Sequence, residues 1–225
     1  MDLSGLDFRQ DKEDCSYHDD GLLYCDRCGE CLQTQFDISG AEDIVTITAN
    51  CDCRAAAIEE QAAAYQEMQK KRRIRELRIK GIIDSLYREH TCWVDDSPAS
   101  TGSLIARQYV RNWEKMKDKG IGLALYGAIG TGKSFYAACI ANALIDQGVA
   151  VQMTSFARIL AQAMDLADKN KWQRHLRTVP LLIIDDVGTE RQTDYALEIV
   201  YSVVDDRVKS GKPLIITTNL SQAEM

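Results

Sequence analysis

No apolar run in this 225-residue chain approaches the roughly 18 residues that a membrane-spanning helix needs. A helical membrane anchor is therefore not expected. Met1 to Asp20 is acidic and lacks the apolar stretch of a secretory leader, so the protein is expected in the cytosol. Proline is scarce, with three in the chain, and neither Pro nor Gly interrupts Arg54 to Lys80. That stretch is mostly strong helix formers, and nothing in it stops a long helix.

What is present suits one sizeable core with a small appendage. Hydrophobic residues at 45% and charged residues at 27% are ordinary for a globular protein. The net charge of −7 conceals an asymmetry. Residues 1–30 carry three basic and nine acidic side chains, whereas residues 70–80 carry seven basic ones against Glu76. The average therefore says little about partners. Lys71, Arg75 and Arg78 share one helical face, which suits either a nucleic-acid or protein contact or a solvated helix joining two domains.

Eight cysteines in a reducing compartment point to metal ligation before disulfides, and five of them fall between residues 25 and 53. Cys25-x-x-Cys28 is followed, after 22 intervening residues, by Cys51-x-Cys53. Two close thiolate pairs around a β-rich excursion (Ile44 to Thr48) suit a tetrahedral zinc site made of Cys25, Cys28, Cys51 and Cys53. Cys31 competes as a spare thiol, and Cys15 and His18 are further candidates. Four thiolates leave no open position on the metal, so the zinc is expected to be structural. Isolated Cys92 and Cys139 read as packing residues.

The chain is organised around Gly127-Ala128-Ile129-Gly130-Thr131-Gly132-Lys133-Ser134, which fits the phosphate-loop pattern G-x-x-x-x-G-K-[ST]. Glycines let backbone N–H groups turn towards phosphate oxygens that a Cβ would obstruct. Lys133 is expected on the β- and γ-phosphates and the Ser134 hydroxyl on Mg²⁺. An apolar strand, Ile121 to Tyr126, precedes the loop, and a helix from Phe135 to Gln147, closed by Gly148, follows it. The helix N-terminus adds partial positive charge. Gly127 through Ser134, Phe135 and Asp185 form the candidate nucleotide-binding set.

Leu181-Leu182-Ile183-Ile184-Asp185-Asp186 is the second anchor. Four bulky apolar residues read as a strand buried on both faces of a parallel sheet, with two carboxylates at its C-terminal edge. Asp185 is expected in the Mg²⁺ shell, and Asp186 to orient or deprotonate an attacking water. A helix carrying Leu104, Ile105, Tyr109, Val110, Trp113 and Met116, capped by Ser100 or Thr101, precedes the loop. Val149 to Thr154 reads as a strand and Ser155 as the cap of the next helix. Lys169 to Arg177 is basic around Trp172, which suits a single-strand contact or an exposed amphipathic turn. Tyr195 to Lys209 reads as a helix, and Lys212 to Asn219 as a strand bringing Asn219 to the γ-phosphate side of the sheet.

The order of phosphate loop, Leu-Leu-Ile-Ile-Asp-Asp and Ile-Ile-Thr-Thr-Asn resembles the AAA+ ATPases. Within them it is similar to the DnaC/DnaI-type bacterial and phage helicase loaders and their IstB-like transposition relatives. Gly188-Thr189-Glu190-Arg191, Ser210-Gly211-Lys212-Pro213-Leu214 and the cysteine-rich N-terminus carry the likeness to the loader branch. The resemblance implies an α/β fold: a P-loop AAA+ (ASCE) parallel sheet with flanking helices, after a small zinc module and a charged linker helix. The corresponding divisions are an acidic lead-in (1–20), a zinc-binding module (21–53), a helical linker (54–98) and an ATP-binding core (99–225).

It further implies ATP, Mg²⁺ and Zn²⁺ as cofactors, with Lys133, Asp186 and Asn219 catalytic and Asn219 as the sensor asparagine. Loaders of this kind dock their N-terminal module on a replicative DNA helicase, contact single-stranded DNA, and work as homo-oligomers with nucleotide at subunit interfaces. The expected function is thus an ATP-controlled helicase loader in DNA replication, and the alternative is an IstB-like ATPase regulating a transposase. A small-substrate P-loop kinase fits the Asp-Asp pair and Thr-Thr-Asn strand poorly, and a zinc module with a vestigial nucleotide site conflicts with intact Lys133, Ser134 and Asp185. Asp186 stands where the wider superfamily usually has Glu, which implies slow hydrolysis. No arginine finger, second sensor or fifth strand is read before Met225, so a C-terminally truncated, weakly hydrolysing chain is expected.

Overall fold

The strand β7 (Leu181–Val187) is the spine of the larger unit, because its side chains alternate between two cores. Leu181 and Ile183 enter one apolar cluster, and Leu182 and Ile184 enter the other. A strand buried on both faces must be apolar throughout, which is why this run contains no polar residue before Asp185. The structure is a computed structural model that describes residues 14–37, 44–90, 100–164, 169–188 and 194–220. It divides into two compact units, Met1–Gln69 and Lys70–Met225.

In the larger unit β5 (Leu123–Tyr126), β6 (Val151–Ser155), β7 and β8 (Leu214–Thr218) form a parallel sheet in the order β5-β8-β7-β6. One face is covered by α2 (Thr101–Arg111), α3 (Trp113–Asp118) and α4 (Lys133–Asp146), whose Ala137, Ile140, Ala141, Leu144 and Ile145 are fully buried. The other face is covered by α5 (Phe156–Met164), α6 (Lys169–Thr178) and α7 (Asp194–Ser210). The parallel α/β fold with flanking helices is thus the one expected.

Some local expectations shift. Leu104 and Ile105 are exposed, because α2 buries Ser103, Ala106 and Tyr109 instead. Ser100 caps α2 by accepting from the Ser103 N–H at 3.2 Å. The segment Lys169 to Arg177 is a helix, with Trp172 packed against the second core cluster rather than standing free as a stacking platform. Cys139 is completely buried, as a packing residue should be. Cys92, Ser97-Pro98 and Thr189-Glu190-Arg191 lie outside the described residues, as does most of the acidic lead-in.

The smaller unit contains two antiparallel pairs, β1 (Cys15–Tyr17) with β2 (Leu23–Cys25) and β3 (Gln33–Asp37) with β4 (Ile44–Thr48). Its small core is Cys25, Leu32 and Cys51. The helix α1 (Asp52–Gly81) starts two residues before Arg54, so Cys53 sits in its first turn. From Lys70 on the helix belongs to the larger unit, where Ile74 and Leu77 pack against the main core and Arg78 donates to Asn142 Oδ1 at 2.9 Å and pairs with Asp146. Arg78 is therefore taken out of the basic face on which its spacing places it.

Candidate functional site

Between β5 and α4 the chain turns through Gly127, Gly130 and Gly132, with φ of 136°, 83° and 82°. A side chain at Gly130 would meet nothing within 4 Å, so backbone conformation rather than crowding demands glycine there. Thr131 donates its hydroxyl to the Ala128 carbonyl at 2.9 Å, tightening the turn. The Lys133 ammonium is held over the loop by the Gly127 and Ala128 carbonyls, both at 2.9 Å. Ile129 is the exposed tip. Phe135 instead turns to aromatic packing, its ring 5.3 Å from His90 and 5.5 Å from Tyr136.

The Ser134 hydroxyl donates to Asp185 Oδ1 at 2.8 Å, joining the phosphate loop to the tip of β7 across 51 residues of sequence. Asp185 is only 5% exposed. A second donor, the Thr217 hydroxyl on β8, reaches the same oxygen at 2.5 Å. The β7–β8 register shifts here, since Ile184 pairs with Ile216 but Val187 pairs with Thr218. Asp185 and Asp186 together thus oppose Thr217 alone, which is a β-bulge. Thr217 closes it by also accepting the Asp186 N–H at 2.9 Å.

The bulge puts Asp186 at φ 56°, the one non-glycine residue with positive φ among those described, and turns its side chain to solvent. A left-handed aspartate costs on the order of 1 kcal/mol and is characteristic of functional positions. Burial raises the Asp186 pKa first, the neighbouring Asp185 charge raises it further, and Lys133 opposes both. Lys133, Asp185 and Asp186 therefore share one edge of the sheet. Asn219 directly follows β8, partly exposed.

The residues fit a magnesium-bound nucleotide by their chemistry. The loop offers a cradle that only glycine conformations open, with a cation above it. A hydroxyl and a carboxylate, hard oxygen donors of the kind Mg²⁺ takes, meet at its base. Local sequence pattern does not single out Thr217, although its Ile-Ile-Thr-Thr-Asn context is visible. Nor does it single out Asn142 or Tyr87. Asn142 is a fully buried amide on an otherwise apolar helix face, and that oddity is the signal that could have found it.

In the smaller unit the Sγ atoms of Cys25, Cys28, Cys51 and Cys53 all lie within 4.8 Å of one another. Cys53 approaches Cys51 at 3.2 Å, Cys25 at 3.5 Å and Cys28 at 3.6 Å. Four sulfurs at 2.3 Å from one zinc would stand about 3.8 Å apart, so this set could hold the ion with small adjustments. N–H groups of Cys28 and Arg27 lower the Cys25 thiol to about 6, which favours the ligating thiolate. Cys31 turns away to the Gln33 carbonyl at 3.1 Å, Arg54 donates to Cys15 at 3.1 Å, and His18 stacks on Tyr24.

A separate cavity of about 520 Å³ lies beside α6, lined by Lys80, Gln152, Lys171, Trp172, Arg174 and His175 among others. The His175 Nε2 and Gln152 Oε1 atoms are 2.9 Å apart.

A parallel sheet in this order, with a phosphate loop after one strand and an acid pair ending another, defines the core of a P-loop AAA+ ATPase. Residues 99–225 match the IstB-like ATP binding protein family, more than half of the chain, and the chain belongs to that family. It is 32% identical over 111 residues to the replicative helicase loader DnaI of Bacillus subtilis, covering 48% of this chain and 36% of that protein. It is also 32% identical over 126 residues to the loader DnaC of Escherichia coli, covering 53% and 50%. An insertion-sequence ATP-binding protein of Mycobacterium tuberculosis is 29% identical over 126 residues, covering 55% and 49%. The aligned region spans half or less of the length of these relatives.

Among solved structures, the DnaC helicase loader superposes with a TM-score of 0.54 at 25% identity, covering 61% of this chain and 81% of that one. AMPPCP-bound DnaA from Aquifex aeolicus shares the fold, with a TM-score of 0.52 at 20% identity over 61% and 44%. The chain is a DnaC/DnaI-like AAA+ ATPase of the IstB family. Among the described residues, no helix is long and apolar enough to cross a membrane.

Proposed function

We propose that the protein is an ATP-controlled loader of a replicative DNA helicase, with Mg²⁺-ATP as the switch and a structural zinc in the docking module. The observation that carries the nucleotide site is the 2.8 Å bond from Ser134 to Asp185, which brings both nucleotide motifs to one point. Gly127, Ala128, Ile129, Gly130, Thr131 and Gly132 would wrap the phosphates, Lys133 would neutralise them, and Phe135 would support the helix end. Ser134 and Asp185 would hold Mg²⁺, which would neutralise phosphate charge. Asp186, turned out by the bulge, would orient or deprotonate the attacking water, and Asn219 would sense the γ-phosphate side. Cys25, Cys28, Cys51 and Cys53 would hold the zinc, whose role is folding.

The partner assignment leans on the DnaI and DnaC relatives, whose names state helicase loading. Single-stranded DNA suits the cavity beside α6, whose Lys80, Lys171 and Arg174 match backbone phosphates. Homo-oligomerisation with nucleotide at subunit interfaces belongs to the same reading. A transposase-regulating role is the second reading, favoured by the insertion-sequence relative. Titration with a fluorescent ATP analogue tests the site: Lys133→Ala should lose binding at least about a hundredfold while staying folded, given how much charge it places on the phosphates. Undiminished binding would overturn the assignment.

A further inference from the structure

The segment that follows α1 is built into the nucleotide side of the larger unit. Gly81 ends α1 so close to β6 that a Cβ there would meet the Val151 carbonyl at 2.1 Å. Ile82, fully buried, forms a parallel bridge with Met153 at the open edge of the sheet. Arg88 folds back onto the carbonyls of Ile82 (2.8 Å), Ile83 (3.2 Å) and Ile79 (3.3 Å), sealing the end of the helix. Asp84 caps the short 3₁₀ turn Ser85–Glu89 by accepting from the Leu86 N–H at 3.0 Å.

Asn142 on α4 then fastens the turn, donating its amide to the Tyr87 carbonyl at 2.7 Å and to the His90 carbonyl at 2.8 Å. The same α4 begins with Lys133 and Ser134. The turn is therefore held by the helix that carries the phosphate-loop residues. Tyr87, Asp185, Asp186 and Arg158 line one small cavity of about 130 Å³. Tyr87 shares this cavity wall with Asp185, and its hydroxyl lies near Ser134 and Asp185.

We propose that Tyr87 is a positioning residue for the magnesium corner: its hydroxyl, carried in by the turn that Asn142 fastens, orients the Asp185 carboxylate beside Ser134. This rests on the reading of Ser134 and Asp185 as the Mg²⁺ holders. Donors behind a ligating carboxylate set its direction and basicity, and their loss costs a metal site about tenfold or more in affinity. Tyr87 would supply from the turn what Thr217 supplies from β8.

The experiment is a titration of Mg²⁺ into the full chain with a fluorescent ATP analogue, repeated without divalent metal in EDTA. Tyr87→Phe removes one oxygen and keeps the ring among its neighbours. The expected result is a rise of about tenfold in the Mg²⁺ concentration for half-saturation, with metal-free affinity unchanged within about twofold. Tyr87→His, which restores a donor, should recover part of the loss. Thermal unfolding without nucleotide confirms that each variant is folded. An unchanged Mg²⁺ requirement, equal weakening with and without metal, or tighter Mg²⁺ binding would each overturn the assignment. If the wild-type chain bound nucleotide without any response to Mg²⁺, the reading of Ser134 and Asp185 would itself fall.

Discussion

A single threonine decides how the two carboxylates of β7 are used. Thr217 opposes both Asp185 and Asp186 across the bulge, donating to one side chain and accepting from the other residue's backbone. Asp185 is thereby held inward and Asp186 is turned out. Thr217→Val keeps the shape and removes both bonds, leaving a buried carboxylate short of a donor. It should cost about 1.5 kcal/mol in chemical denaturation and weaken Mg²⁺-dependent nucleotide binding about tenfold in titration. Asp186→Asn, by contrast, should leave binding intact and abolish turnover measured as phosphate release. The acid pair was legible because charges rarely end a fully apolar strand without a cation. Thr217 was not, because its meaning depends on a register shift that no local pattern displays.

At the scale of elements, the least expected feature is Arg207 on α7. It is 1% exposed and donates to the carbonyls of Leu176, Arg177, Val179, Pro180 and Pro213. Four of these acceptors lie at or just beyond the end of α6, where carbonyls have no partner within the helix. Arg207 thus caps α6 from a neighbouring helix and ties it to the start of β8. Burial lowers its pKa to about 10, which leaves it cationic at neutral pH. Arg207→Met should destabilise the larger unit by about 3 kcal/mol in urea unfolding, because the carbonyls would be left buried and unpaired. A helical period reads Arg207 as an ordinary last-turn cation, so neither its burial nor its acceptors were legible.

The same helix α6 carries a pH dependence. Burial lowers the His175 pKa from the usual 6.5, and its ring sits on Gln152 Oε1. The neutral ring is the folded form, so the unfolded chain takes up a proton first as the pH falls. The stability it contributes is whole above about pH 6.5 and declines as the pH drops from there towards the lowered folded value. Melting temperatures of wild type and His175→Gln, compared between pH 7.5 and 5, should converge on the acid side.

For the whole molecule, the sheet and the edge that brings the glycine loop to Asp185 were readable because strand, glycine loop and helix are contiguous in sequence. The clustering of the four cysteines was readable from their close spacing within each pair. The turn at Tyr87 was not, because Asn142 lies 55 residues away from it. The two units make separable predictions. A zinc-selective chelator that spares Mg²⁺ should release one Zn²⁺ per chain and remove amide-exchange protection from the described residues up to Gln69, since a core of Cys25, Leu32 and Cys51 is too small to stand without metal. Nucleotide binding by the larger unit should survive that treatment. If the cysteine module docks and nucleotide controls release, co-purification with a hexameric replicative helicase should depend on ATP in the wild type. It should lose that dependence in Lys133→Ala, and should fail altogether in Cys51→Ser with Cys53→Ser. Capture of a transposase instead, with the same nucleotide dependence, would leave the ATP switch standing and replace the loader with the insertion-sequence role. Helicase association indifferent to ATP in the wild type would remove the switch itself.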